Sequence, residues 1–318
     1  MIKRILVTSA GGDIGGNIIN ILNKQKIIEL CLTVTDINTH IFSEKLVDKF
    51  YKVSRTDSNE YLNEIKDIVI LNKIDLIIPS SEQDILFFNM NREYFISNNV
   101  KLLINSDKII KTFLDKLQTT LSLNEIDVKT PITYNLEHYN EELNFPIIVK
   151  AIKSTTSKLI KIVYNEQELK DCKQTITNKV DFIIQEYIST ANDEYTTAIY
   201  RDTNISKVIT FKRKLAGDKT GYAEIIHSKI LEDYANKIAD QFSLNGSINI
   251  QSRMFNGDYY IFEINPRISS TVYIRDYFKF QDLLWWICNI LGIDYTSKVE
   301  EQDKNGIAVI GYTYNFYA

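Results

Sequence analysis

The sequence predicts an α/β unit followed by an α+β region, and three observations carry that prediction. From residue 1 to about 105, apolar runs of strand length alternate with segments of helical period, as a parallel sheet with crossover helices requires. After Pro131 the pattern turns strand-rich, with two interspersed helices, so a domain boundary belongs nearby. The 318 residues, 44% hydrophobic and 25% charged, suffice for two or three domains with sizeable cores and contain no low-complexity tract.

In chain order, strands are expected at 3–8, 31–35, 49–53, 76–79 and 101–104. Helices are expected between them at 14–22, 61–71 and 84–95, where apolar residues recur at three- and four-residue steps. Residues 106–126 read as helical, starting after Asn105-Ser106-Asp107. Short β-rich runs follow at 147–151 and 159–163, then a helix at 166–176 and strands at 182–187, 194–200 and 207–213. A helix at 230–242 leads to strands at 247–254 and 259–265, and the aromatic tail 312–317 alternates as a last strand would.

Composition excludes several classes. With 37 basic and 41 acidic side chains the net charge is −4, which offers no footprint for a nucleic-acid backbone. The longest apolar segment, 280–293, is too short for a bilayer and is interrupted by Gln281, Asp282 and Asn289; it reads as a buried helix, and no membrane partner is expected. Cys31, Cys172 and Cys288 lie far apart without CxxC spacing, which argues against zinc and disulfides and for a reducing, cytoplasmic setting. The opening segment has too few consecutive apolar residues for a signal-peptide core and is expected to be a first strand instead. His40, His138 and His227 show no metal-ligand spacing. Trp285 and Trp286 suit a core or a subunit interface; the latter, with the frequency of dimers among soluble enzymes, makes a homodimer an expectation.

The segment Ser9-Ala10-Gly11-Gly12-Asp13-Ile14-Gly15-Gly16 follows a strand and opens a helix, and Asp36 ends the second strand as a ribose-binding acid would. Glycines there let a pyrophosphate approach the helix N-terminus, but they equally serve a tight turn with no ligand. No tyrosine has a lysine four residues later, so a short-chain dehydrogenase reading lacks its catalyst. Pro79-Ser80-Ser81-Glu82 closes the fourth strand at the edge where α/β sheets bind ligands, either lining a substrate cleft or capping the next helix.

The most informative stretch is Ile248-Asn249-Ile250-Gln251 followed by Tyr260-Ile261-Phe262-Glu263-Ile264-Asn265-Pro266-Arg267. Glu263 and Asn265 are two apart on a strand and leave one face, with Phe262 and Ile264 on the other. Phosphate-bound Mg²⁺ takes one or two carboxylates, neutral oxygens and water, so Glu with Asn and Gln is a suitable set. If Phe255 pairs with Tyr259 across a three-residue turn, Gln251 faces Glu263 and Ile250 faces Ile264. A two-residue Asn-Gly turn would instead set Ile250 against Glu263. The hydrophobic pattern favours the first register, although an ordinary solvated hairpin face fits these residues alone equally well. Upstream, Phe145-Pro146-Ile147-Ile148-Val149-Lys150 ends an apolar strand in a lysine able to meet a phosphate. The strand Ile183-Ile184-Gln185-Glu186-Tyr187-Ile188 leads through a polar loop to Asp193-Glu194-Tyr195, a hinge that can offer backbone groups to a base and a carboxylate to ribose.

With these pieces in this order, the chain resembles the ATP-grasp superfamily, most closely its carbamoyl-phosphate-synthase-like members. The resemblance adds a Leu114-Asp115-Lys116 helix and covers nearly the whole sequence. It implies a Rossmann-like pre-ATP-grasp domain at 1–105, a linker helix and lid subdomain at 106–188, and a C-terminal antiparallel-sheet subdomain at 189–318. It further implies that Lys116 and Lys150 hold ATP phosphates. The Gln185, Glu186 and Ile188 hinge would serve adenine, with backbone hydrogen bonds from Gln185 and Ile188, and Glu194 would bind ribose. Gln251, Glu263 and Asn265 would hold Mg²⁺, with Mn²⁺ an alternative. Arg267 would steady the transferring phosphoryl group, and Lys212 or Arg213 would face the γ-phosphate. The Gly11–Gly16 loop becomes an inherited feature without a dinucleotide. One departure stands out: Ala151-Ile152-Lys153-Ser154-Thr155-Thr156-Ser157-Lys158 has no glycine where the family closes a Gly-rich loop over the phosphates.

The implied activity is an ATP- and Mg²⁺-dependent, ADP-forming ligase that activates a small carboxylate as an acyl phosphate and joins it to an amine. The alternatives are a kinase or carbamoyl-phosphate-type enzyme releasing a phosphorylated product, and a nucleotide-binding protein without turnover, which the glycine-free loop favours.

Overall fold

The computed structural model describes residues 2–140, 143–153, 160–188, 194–217 and 219–311. Three sheets organise the described residues. The first is wholly parallel, in the order β3-β2-β1-β4-β5: β1 Lys3–Thr8, β2 Leu30–Asp36, β3 Lys49–Lys52, β4 Leu76–Pro79 and β5 Lys101–Leu102. Its crossover helices are α1 Asp13–Lys24, α2 Tyr61–Asn72 and the pair α3 Glu82–Met90 and α4 Arg92–Ser97. The strand order reverses between β1 and β4, which opens a crevice at their carboxyl ends.

Two expected single helices are broken in two, each by a side chain that competes for backbone groups. The helix at 84–95 stops at Asn91, whose amide donates to the Phe87 carbonyl at 2.9 Å. The helix at 106–126 divides into α5 Asp107–Phe113 and α6 Lys116–Asn124, because the Asp115 carboxylate accepts from the Gln118 N–H at 2.9 Å and caps a new N-terminus.

The second sheet is antiparallel, in the order β6-β9-β7-β8: β6 Thr133–Asn135, β7 Ile147–Ala151, β8 Ile160–Val163 and β9 Phe182–Glu186, with α7 Glu166–Thr175 between β8 and β9. The third holds β10 Glu194–Arg201, β11 Ser206–Ala216, β12 Lys219–Ile226, β13 Gly246–Phe255, β14 Asp258–Asn265 and β15 Ile307–Val309, in the order β14-β13-β10-β11-β12-β15. Strands β12 and β15 were not among the expected elements. The tail at 312–318, with its expected strand, lies outside the described residues, as do 154–159 of the glycine-free loop.

Helices α8 Lys229–Gln241, α9 Val272–Tyr277 and α10 Asp282–Leu291 complete the chain. One core cluster runs from Ile5, Val7 and Ile78 of the parallel sheet to Tyr200, Phe211 and Trp285, so the first and third sheets share an interior. Trp285 and Trp286 are buried within the chain, Trp285 against Tyr200 and Phe280, so of their two expected uses they serve the core and not a subunit interface. No helix among the described residues is long and apolar enough to cross a membrane.

Candidate functional site

The β13–β14 hairpin satisfies both of the competing signals in its sequence. Its turn is the tight one: Phe255 pairs with Asp258 across Asn256 and Gly257, which take the positive φ values of 51° and 83° that such a turn needs. The register then shifts between Gln251 and Ser252. Ser252 faces Ile261 and Gln251 faces Glu263, so Phe262 is an extra residue. The bulge restores the expected pairing of Gln251 with Glu263 and of Ile250 with Ile264. It also turns Phe262 onto the polar face with Glu263, a correction to simple alternation; Ile261 and Ile264 both reach the core.

That face forms one wall of a cavity of about 1050 Å³. Gln251, Glu263 and Asn265 line it together, with Asn249 beside them; Asn249 pairs with Asn265 and accepts a hydrogen bond from Thr196 Oγ1 at 2.8 Å. No group of three or more His, Cys, Asp or Glu that could hold a metal occurs among the described residues. A single carboxylate flanked by amide oxygens cannot neutralise a divalent ion, so this donor set suits Mg²⁺ only when a polyphosphate supplies the remaining charge.

Lys116, first residue of α6, reaches the same cavity. Its backbone N–H donates to the Ile152 carbonyl at 3.2 Å, tying it to the segment after Lys150. Lys150 does not line the cavity; it is buried behind the wall, its Nζ 5.9 Å from the centre of the Phe262 ring. Burial pushes its ammonium down from 10.5 to about 8, opposed by the charge of Glu263 and aided by those of Lys116 and Arg253.

Glu194 and Arg213 line the cavity on adjacent strands and are paired. Arg213 donates from Nε and Nη2 to one carboxylate oxygen at 2.9 and 2.5 Å. Arg253 reaches the other oxygen through Nη2 at 3.1 Å and donates from Nη1 to the Ile188 carbonyl at 3.3 Å. Lys212 is a correction: strand alternation turns it away from Arg213, it does not line the cavity, and its Nζ sits 5.8 Å from the centre of the Tyr195 ring. Of the two adjacent cations, the structure therefore brings only Arg213 to the site.

Gln185, Glu186 and Ile188 do not line the cavity either. The Gln185 amide donates to Thr133 Oγ1 at 2.7 Å. The Glu186 N–H donates to the Ile132 carbonyl at 2.8 Å, and its carboxylate accepts from the Ile132 N–H at 3.2 Å. These bonds bind the hinge to β6 and the residue before it; the loop at 189–193 that follows lies outside the described residues.

The opposite wall is the crevice at the ends of β1, β2 and β4, with Gly11, Gly12, Asp36, Ser80, Ser81 and Glu82. Asp36 is committed to the loop. One carboxylate oxygen accepts the Gly11 N–H at 2.7 Å, and the other accepts the Asn38 N–H and side-chain amide at 2.9 and 2.8 Å. This is the tight-turn use of the glycines, and a Cβ at Gly15 would stand 2.7 Å from the Ser9 carbonyl oxygen. Ser81 both caps α3, accepting from the Asp84 N–H at 3.1 Å, and lines the cavity, so the two readings of Pro79–Glu82 coexist.

Arg267 joins the walls: its Nη2 donates to Glu82 at 2.9 Å, and its backbone N–H to the Asn265 carbonyl at 2.8 Å. A saturated buried network holds the segment after it. Arg275 donates from Nη1 to Ser269 and Thr271, each at 2.7 Å, and from Nη2 to Asp282 at 2.8 Å, while Ser247 donates to Asp282 at 2.7 Å. Asn105 adds a tie from the first sheet, its amide donating to the Ser247 and Pro266 carbonyls at 2.8 and 2.9 Å. Neither Asn249 nor Arg253 was expected to take part in the site, although alternation on β13 puts both on the face of Gln251.

Comparison with known proteins matches this layout. The PylC-like N-terminal domain family matches residues 5–103, the RimK-like ATP-grasp domain family residues 99–212, and the family described as ATP-grasp in the biosynthetic pathway with Ter operon residues 178–303. The chain belongs to the ATP-grasp superfamily. Among curated relatives, the tyramine–L-glutamate ligase of Methanocaldococcus jannaschii is 26% identical over 220 residues, 68% of this chain and 63% of that protein. The C-terminal section of the Aquifex aeolicus carbamoyl phosphate synthase large chain is 25% identical over 146 residues, 42% of this chain and 27% of that one. The chain thus spans less than two thirds of either relative. The fold is shared with the ADP complex of N5-carboxyaminoimidazole synthetase from Staphylococcus aureus, at a TM-score of 0.71 and 16% identity, covering 96% of this chain and 80% of that one.

Proposed function

We propose that this ATP-grasp chain is an ADP-forming ligase that activates a small carboxylate on Mg-ATP and joins it to an amine. The observation that carries the reading is that one cavity holds both the Gln251, Glu263 and Asn265 face with Lys116, suited to a magnesium polyphosphate, and the sheet-edge crevice reached by Arg267. The ligase activity of the M. jannaschii relative points the same way. The reading retains the divisions after 105 and after 188.

In this reading Glu263, with the amides of Gln251 and Asn265, would hold Mg²⁺, which would supply charge neutralisation for the polyphosphate. Lys116 and Lys150 anchor the phosphates. Arg267 places the acid next to the γ-phosphorus and stabilises charge as it moves onto the transferring group. Glu194 faces the ribose and shares its charge with Arg213. Incubation with Mg-ATP and paired acids and amines tests the reading by product mass. An amide without phosphorus supports it, and a released phosphorylated product favours a kinase or carbamoyl-phosphate-type enzyme. The glycine-free segment 151–158 favours a second reading, nucleotide binding without turnover, which ATP binding with no ADP release across the panel would select.

A further inference from the structure

We infer that the Glu82–Arg267 pair is a recognition site for a zwitterion, so the acid activated in this cavity is an amino acid rather than a simple carboxylate; this rests on the ligase reading above. Glu82 opens α3 at the end of β4, and Arg267 follows the strand that carries Glu263 and Asn265. Their side chains meet at 2.9 Å on the cavity wall, and only 13% and 17% of them is exposed. The Arg267 Nε is buried with no hydrogen-bond partner, so the guanidinium is only partly satisfied at rest.

The charge balance selects the guest. A carboxylate that takes Arg267 must loosen its bond to Glu82, and a simple acid would leave Glu82 as an uncompensated, largely enclosed anion. An amino acid brings its own ammonium to Glu82 while its carboxylate occupies Arg267, so both wall charges stay paired. Ser81 and Ser270 line the same cavity and add hydroxyl groups that can donate or accept. Because Arg267 directly follows the metal-suited strand, the carboxylate it holds is the one beside the phosphates. Its oxygen attacks the γ-phosphorus of ATP, the bond from that phosphorus to the bridging oxygen breaks, and ADP leaves with the electron pair. An amine nitrogen then bonds to the acyl carbon, phosphate departs with the C–O electron pair, and the amine releases one proton to water.

The test measures binding of matched pairs, amino acids and their desamino acids, to the full chain loaded with Mg²⁺ and β,γ-imido-ATP. At least one amino acid should bind ten-fold or more tightly than its desamino partner. Glu82→Gln should shrink that ratio below about three-fold, and Glu82→Asp, which keeps the charge, should restore part of it; nucleotide binding by each variant certifies its fold. Equal affinity within every pair, or full discrimination retained by Glu82→Gln, would overturn the inference. ADP release separates the two claims. Release with desamino acids as fast as with amino acids keeps the ligase and removes the zwitterion site. Discrimination in binding with no ADP release from any acid keeps the site and removes the ligase.

Discussion

Arg213 donates twice to a single oxygen of Glu194 from the neighbouring strand, at 2.9 and 2.5 Å, while Arg253 holds the other oxygen from the opposite side at 3.1 Å. The carboxylate is 4% exposed, so its solvation comes from these two guanidinium groups.

The two arginines are therefore unequal. Arg213→Met leaves a buried carboxylate with one partner, and about 3 kcal/mol of stability should be lost. Arg253 is 22% exposed and Glu194 keeps Arg213, so Arg253→Met should cost about 1 kcal/mol. Urea denaturation midpoints check the order, and a larger loss from Arg253→Met would contradict it.

Lys150 predicts a proton-linked affinity. Its ammonium is pushed down to about 8 by burial, below the 10.5 of an exposed lysine. Folding thus opposes the charged form: the penalty is complete below about pH 8 and disappears as pH rises towards 10.5. A polyphosphate beside Lys150 favours the ammonium, so Mg-ATP binding between pH 8 and 9.5 should take up a proton and weaken as pH rises. Calorimetry in two buffers of different ionisation enthalpy reads the uptake, and Lys150→Met should abolish it.

Gly246 opens β13, the strand that carries Gln251, against Trp286 and Asn105. Its φ is 148°, and a Cβ there would stand 2.6 Å from the Trp286 ring and 2.9 Å from Asn105 Oδ1. Gly246→Ala should cost about 1–3 kcal/mol through overpacking, read as a lower denaturation midpoint. An unchanged midpoint would show that the contact yields freely.

The periodicity of the chain carried the parallel sheet, the β7 bounds and the facing of Gln251 with Glu263, because a buried face tolerates no slip of register. It did not carry the route to that register. The Asn256-Gly257 turn and the Phe262 bulge compensate each other, and only the sum of the two is written in the hydrophobic pattern. The breaks at Asn91 and Asp115 were obscured by apolar periodicity that continues across them. Lys212 and Arg213 were indistinguishable as residue types, and strand alternation against Tyr195 and Glu194 separates them. Arg253 was missed because its partner, Glu194, is 59 residues away in sequence and meets it only across β10 and β13.

Everything proposed for the site depends on Glu263, with Gln251 and Asn265, holding the divalent ion against the phosphates of ATP. Substrate-dependent ADP release by Glu263→Gln measures it most directly, with the fold verified by circular dichroism. Release should fall at least 100-fold below that of the unaltered chain, a loss of roughly 2.7 kcal/mol or more in the transition state. Undiminished release from a folded Glu263→Gln protein would contradict it.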